Sequence, residues 1–412
     1  MEKRKIWIVT ELFYPEETAV AYIFTRIANH LAKDYEVHVL CGPVSYDKEK
    51  AGFSDQIELS DEVIIYRESK LIIDKNNLAK RTLRLFVLSF QLANSIRKRI
   101  SKGDIVLLAT NPAPLLIFAG LLKGLKKFQL HILVHDVFPE NTIPAGVFKS
   151  KGNLFFKLIK SIFDLSYSRA DHLIVLGRDM KEIIRKKISK RNRMIPVSIV
   201  TNWTNTSEMF PKDRSLSLIK NWGLEDKIVL QYAGNVGRVQ GLIEVVEAIR
   251  LCSNKNLHLV IHGSGAMVAT LRAYIAENNI SNISFFGSYS RNAQNEILNS
   301  CDISVVSLSQ GMYGLGVPSK AYHILAAGKP ILFLGDLNSE IACLVKEENV
   351  GWAIDLTNKD ELISFLNSLN VESIEHYRSM GLKGRLLVEN KYQEKIVLDL
   401  FQRSMESFFK DE

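Results

Sequence analysis

Cysteine is scarce in this chain: four residues, Cys41, Cys252, Cys301 and Cys343, lie far apart in 412, and no CxxC pair occurs. That spacing excludes a zinc ribbon or a dithiol redox motif and predicts reduced thiols in a cytoplasmic protein. No Asp-x-Asp pair is present, so the usual carboxylate clamp for a divalent ion on a diphosphate is missing. No GxxxxGK[ST] segment is present, which argues against a P-loop ATPase, and no GxSxG, which argues against a nucleophile-elbow hydrolase. No apolar run reaches the ~18–20 residues that a membrane span needs. The nearest, 105–122, is interrupted by Asn111, Pro112 and Pro114 and reads as strand, turn and helix. The first residues carry no signal-peptide pattern.

What is present is the composition of a globular protein, 47% hydrophobic and 24% charged. A chain of 412 residues exceeds one ordinary core, so two domains are expected. The net charge of +8 is crowded into the first half, in runs at 80–102, 123–127, 149–160 and 185–193. Such a surface attracts anions. It lacks the aromatic interleaving of a base-stacking platform, so nucleic acid is not expected as a partner, and an anionic membrane surface is the favoured one. The segment 81–99, RTLRLFVLSFQLANSIRKR, reads either as a core helix or as a helix lying at a bilayer surface.

Short apolar runs alternate with helical patterns along the whole chain. Strands are predicted at 6–9, 36–40, 63–66, 105–109, 130–134, 172–176 and 197–200, and again at 228–233, 257–262, 283–286, 303–306, 331–334 and 351–354. Helices are predicted between them, for example at 22–33, 242–251 and 294–299. Strand–helix alternation at this spacing predicts α/β architecture, with two doubly wound domains facing a cleft and ligands at the carboxyl ends of the strands. The boundary is placed in the Asn- and Thr-rich stretch after 200, giving domains 1–205 and 206–388. A terminal helix, 389–412, is expected to return to the first domain.

Four loops at predicted strand ends hold candidate chemistry. The loop YAGNVGRVQGL supplies Gly234, Asn235 and Gly237 to bring backbone N–H groups to an anion, with Arg238 as a planar cation. The segment GLGVPSKAYHILAAGKPI supplies Gly314, Gly316, Pro318 and Ser319 before a helix, and Lys320 as a second cation. VHDVFPEN places His135 and Asp136, with Glu140 nearby, after a strand. ELFYPEETAVAY offers Glu16, Glu17 and Thr18.

In this order, the segments FYPEETAVAYIFTRIANHLAKDYEVHVL, ATNPAPLL, VHDVFPEN, SRADHLIVLGRDMKE, IVTNWTNTSEMF, YAGNVGRVQGL, GSGAMVATL, FFGSY and VPSKAYHILAAGKPI resemble glycosyltransferase family four, of the two-Rossmann GT-B fold. The similarity is greatest to its bacterial surface-polysaccharide branch, which includes fucosamine-transferase-like enzymes. The resemblance implies a retaining transfer from a nucleoside-diphosphate sugar, with UDP as the expected nucleotide. It implies a glycan or polyprenyl-diphosphate-linked acceptor, no cofactor and no metal. The enzyme would be cytoplasmic, peripheral on the inner face of the membrane.

By the same resemblance His135 touches the transferred sugar, and the loop of Glu16, Glu17 and Thr18 closes over the substrates. Asn202 joins the substrate site, Arg238 and Lys320 hold the diphosphate, and Ser288 and Tyr289 cradle the base. Two departures stand out. The Glu-x7-Glu pair of many relatives is replaced, with Leu315 at the first position and His323 at the second. The Arg-x4-Lys pair is replaced by Asn235 and Gln240. A non-catalytic nucleotide-sugar-binding subunit and a GT-B-fold epimerase remain as alternatives.

Overall fold

The computed structural model of the chain describes residues 3–16, 18–44, 58–69, 78–148, 150–189 and 194–409. The first half folds as β1 (Lys5–Thr10), α1 (Ala19–Leu31), β2 (Glu36–Cys41), β3 (Val63–Arg67), α2 (Leu78–Arg99), β4 (Ile105–Ala109), α3 (Leu115–Lys126), β5 (Gln129–Val134), α4 (Leu154–Tyr167), β6 (His172–Val175), α5 (Arg178–Ile188) and β7 (Val197–Ile199). The second half folds as β8 (Ile228–Ala233), α6 (Leu242–Leu251), β9 (Leu257–His262), α7 (Val268–Glu277), β10 (Ile283–Phe286), α8 (Gln294–Asn299), β11 (Ile303–Ser307), α9 (Lys320–Ala326), β12 (Ile331–Leu334), α10 (Glu340–Glu348), β13 (Gly351–Ile354), α11 (Lys359–Ser368), α12 (Ile374–Leu387) and α13 (Glu394–Glu406).

Two sheets result. Seven strands run in the order β3-β2-β1-β4-β5-β6-β7, and six in the order β10-β9-β8-β11-β12-β13. All the named pairings are parallel. Helices cover both faces of such a sheet, so its inner strands must be apolar on both sides. The strands IVLLA of β4 and ILFL of β12 are accordingly buried at every position. In each sheet the order reverses beside the first strand, between β1 and β4 and between β8 and β11. That reversal opens a crevice at the carboxyl ends, where loops can hold a ligand.

The first domain's core runs on into the interface, where Met312, Leu315, Val317 and Tyr322 of the second half join it. The final helical stretch is not continuous. A π-helical segment, Val388–Tyr392, follows α12, and the chain then extends at Gln393, which bridges to Thr204. There the Tyr392 carbonyl accepts from the Thr204 N–H at 3.1 Å and the Glu394 N–H donates to the Thr204 carbonyl at 3.0 Å, so neither group continues the helix and α13 begins anew. It lies against α1, where Tyr22 donates to Glu394 at 3.0 Å and Arg26 reaches the same carboxylate at 3.5 Å.

Candidate active site

A cleft of ≈ 750 Å³ separates the carboxyl ends of the two sheets. Its first-domain wall begins after β1, where Thr18 caps α1 by accepting a hydrogen bond from the Ala21 N–H at 3.2 Å. That bond satisfies one of the orphan donors of the helix start and fixes the entry of α1 at the cleft. Thr18, Tyr22 and Ile23 all face the cavity.

The next contribution comes from the end of β5. The Thr110 hydroxyl, at the end of β4, accepts from the backbone N–H groups of both His135 (3.2 Å) and Asp136 (3.3 Å). This clamp turns the two side chains toward the cavity, which both of them line. The His135 ring meets Phe24 edge-on at 5.6 Å, and its buried Nε2 has no partner among the described residues. Burial holds its pKa down at about 4, so the imidazole is neutral. Burial pushes the Asp136 carboxyl up to about 6. Its Oδ1 lies 3.5 Å from where a Cβ on Gly316 would stand. Glu140 turns away instead, pairing with Lys187 at 2.7 Å and Lys160 at 3.1 Å.

Across the cleft, Lys320 opens α9 and folds its side chain back over β8. Its ammonium lies 3.5 Å from the centroid of the Tyr232 ring, and its buried Nζ has no hydrogen-bond partner among the described residues. Burial lowers its pKa well below the ordinary lysine range. The Tyr232 hydroxyl donates to the Asn235 carbonyl at 2.7 Å, tying the ring to the glycine loop after β8. Gly263, at a φ of +152°, packs onto that loop so closely that a Cβ would stand 1.9 Å from the Gly234 oxygen. The GSG of 263–265 is therefore a backbone-packing element, and Ser264 reaches the cavity from it.

Ser288 and Tyr289 line the cleft after β10, and Tyr289 stands edge-on to His262 with centroids 6.0 Å apart. His323 shares a hydrogen bond with Thr204 through Nδ1 at 2.7 Å. Burial, with the nearby Arg291 charge adding to it, holds its pKa at about 3.

The loop before α9 is joined to the first domain. The Val137 N–H donates to the Leu315 carbonyl at 3.1 Å, and Asn202 Nδ2 donates to the Val317 carbonyl at 3.4 Å. Gly314, at a φ of +65°, faces α5 rather than the cavity, and a Cβ there would stand 2.7 Å from the Asp179 carbonyl oxygen.

Thirteen of the residues singled out in the sequence thus meet at one cavity: Thr18, His135, Asp136, Asn202, Gly234, Asn235, Ser288, Tyr289, Gly316, Pro318, Ser319, Lys320 and His323. Glu16, Gly237, Arg238 and Gly314 are not among its lining residues, and Glu17 lies outside the described residues. Glu16 is buried, and Arg238 is exposed beside Gly146 at the rim.

The second cation of the cavity is Arg291, whose guanidinium carbon lies 3.5 Å from the centroid of the Tyr22 ring. Sequence reasoning passed over Arg291, Tyr22, Trp203 and Tyr232, and named Gln240, which also lines the cavity, only as a departure from the family pattern. Arg291 follows the Ser288–Tyr289 loop already identified, and that adjacency was the available signal. Among the described residues, Lys320, Arg291 and Asp136 are the lining residues of Lys, Arg, Asp or Glu type, a balance that suits an anionic ligand. No cluster of three or more His, Cys, Asp or Glu that could hold a metal occurs among the described residues. No helix among them is long and apolar enough to cross a membrane.

Two family models match consecutive parts of the chain. "Glycosyltransferase Family 4" matches residues 20–203 and "Glycosyl transferases group 1" matches residues 217–386. The chain is 31% identical over 400 residues to the probable glycosyltransferase WbjE of Pseudomonas aeruginosa, with 96% of each chain covered. Anabaena Alr3699/HepE, solved in complex with UDP, has a similar fold, with a TM-score of 0.68 at 11% identity over 98% of this chain and 100% of that one. WaaG, a glycosyltransferase involved in lipopolysaccharide biosynthesis, superposes with a TM-score of 0.66 at 14% identity over 96% and 99% of the two chains.

Proposed function

The chain belongs to the glycosyltransferases that join a family 4 domain to a group 1 domain, and on that premise we propose a specific reaction for it. It moves a sugar from a UDP-sugar to a glycan or polyprenyl-diphosphate-linked acceptor, with retention at the anomeric carbon and without a metal. The product enters a bacterial surface polysaccharide such as a capsule, O-antigen or exopolysaccharide. The UDP bound in the Anabaena protein and the lipopolysaccharide role of WaaG support the donor and the setting.

The observation that carries this reading is the buried, unpartnered ammonium of Lys320. Burial of a lone lysine favours its neutral amine, and an anion that restores the ammonium finds a donor already placed for it. The donor diphosphate brings that anion, and its charge grows as the sugar departs, so Lys320 gains most as the bond breaks. Arg291 supplies positive charge at the same cavity. The departing diphosphate oxygen takes the proton of the acceptor hydroxyl, so no side-chain base is required. His135, neutral, and Asp136 orient sugar hydroxyls, and His323 offers its second ring nitrogen to the ribose in place of a carboxylate.

A thermal-shift screen against nucleotide-sugars, followed by NMR of the anomeric configuration of donor and product in EDTA, tests the proposal. A shift with UDP-sugars and matching configurations are expected. An inverted product, or transfer abolished by EDTA, contradicts it.

A further inference from the structure

Thr204 lies in the segment that follows β7 and leads into the second domain. Both of its backbone polar groups are engaged, with the Tyr392 carbonyl and the Glu394 N–H, where α13 begins. The residue is fully buried. A β-branched side chain on a backbone held in this way has few rotamers open to it. Its hydroxyl meets one partner among the described residues, Nδ1 of His323, at 2.7 Å. His323 stands one turn after Lys320 on α9, and its ring lines the cleft.

What each alternative leaves unmade decides which atom donates in that bond. The imidazole is neutral, because burial, with the Arg291 charge adding to it, holds its pKa at about 3. It therefore carries one N–H, on Nδ1 or on Nε2. With the proton on Nδ1, the ring donates to Thr204. The hydroxyl hydrogen of Thr204 is then buried with no acceptor among the described residues. With the proton on Nε2, the hydroxyl donates to the Nδ1 lone pair, and both atoms are satisfied. Nε2 itself makes no hydrogen bond among the described residues and is not sealed from solvent, so water or a ligand serves it in either form. A buried donor left unmade costs its full desolvation, so the Thr204 hydroxyl selects the second arrangement.

The direction of this bond changes what the cleft offers. A carboxylate at this place accepts only, whereas an Nε2–H donates only. We propose that Thr204 is a positioning residue that holds His323 as an Nε2–H donor toward the cleft, so that a ribose hydroxyl is met there through its oxygen lone pair. The tautomer stands on the Thr204 contact itself. Only the ribose as the group it meets rests on the transfer reading.

Long-range proton–nitrogen NMR spectra of the full-length protein labelled with 15N-histidine test the tautomer, with His323→Gln identifying the signal. Wild type is expected to show a protonated Nε2 and a bare Nδ1. Thr204→Val should give averaged shifts that report both tautomers, and Thr204→Ser should restore the wild-type pattern. A protonated Nδ1 in wild type, or an unaltered pattern in Thr204→Val, overturns the proposal. Calorimetry then tests the ribose contact. Thr204→Val should weaken UDP by about fivefold and Thr204→Ser should restore it. Dideoxy-UDP, which lacks both ribose hydroxyls, should bind wild type and Thr204→Val equally. An equal loss for the two nucleotides in Thr204→Val overturns the ribose contact. The expected tautomer in a protein that binds no uridine nucleotide would instead count against the transfer reading alone.

Discussion

Lys320 holds its ammonium 3.5 Å from the centroid of the Tyr232 ring and has no hydrogen-bond partner among the described residues. The ring's face offers a cation partial compensation and no proton acceptor, so the empty site favours the neutral amine. A bound diphosphate reverses that preference. Between the pKa of the empty site and the higher one of the filled site, binding takes up a proton, and affinity falls as pH rises, by up to about tenfold per pH unit. Titration calorimetry of UDP in buffers of different ionisation enthalpy should therefore report net proton uptake between those two pKa values. The uptake should vanish in Lys320→Met.

Asp136 gives a second pH signature, of opposite sign. Its pKa of about 6 means that its carboxylate loses its charge as pH falls through that value. If it orients a sugar hydroxyl, kcat/KM should decline on the acid side with an apparent pKa near that value. Asp136→Asn should lack this limb and run on the order of a hundredfold slower at neutral pH. An unchanged profile in the variant would remove Asp136 from the reaction.

Arg291 and Tyr22 join the two domains across the cleft, 3.5 Å from guanidinium carbon to ring centroid. A double-mutant cycle of Arg291→Met and Tyr22→Leu, read by urea unfolding, should show a coupling of about 0.5–2 kcal/mol. Arg291→Met should also raise the KM for donor, whereas Arg238→Met, at the exposed rim, should leave it within about twofold.

Gly263 tests the scaffold rather than the chemistry. With a Cβ position 1.9 Å from the Gly234 oxygen, Gly263→Ala must displace the loop after β8. A loss of about 2–4 kcal/mol in unfolding free energy is expected, together with loss of UDP binding.

Much of this was legible in the sequence, for identifiable reasons. Inner parallel strands are buried on both faces, so Ile228–Ala233, Leu257–His262 and Ile331–Leu334 stand out as apolar runs and begin and end in the structure where they were predicted. His135 and Lys320 were legible because loops after such strands face the crevice. The orientation of a side chain within a loop is not encoded so locally. Arg238 shares a glycine loop with Gly234 yet points outward. Arg291 sits in a polar turn without a glycine signature, and its place depends on Tyr22, far away in the chain. The break at Gln393 depends in the same way on a partner, Thr204, in the other half. The helix 81–99 was read as a core helix or as one lying at a bilayer surface, and the structure bears on the first reading and on solvent exposure alone. One side belongs to the core, with Leu88, Leu92 and Ile96 buried, and the other is exposed, at Phe86 and Phe90.

The central claim is that the cleft is built to stabilise a departing nucleoside diphosphate through Lys320. The most direct test is the steady-state kinetics of sugar transfer by wild type and Lys320→Met, in EDTA, with thermal melts of both. The account predicts a fall in kcat/KM of about 10²–10³. It also predicts a melting temperature that is unchanged or higher, because the substitution removes an unpartnered buried amine. Wild-type kcat/KM in a folded Lys320→Met enzyme would contradict it.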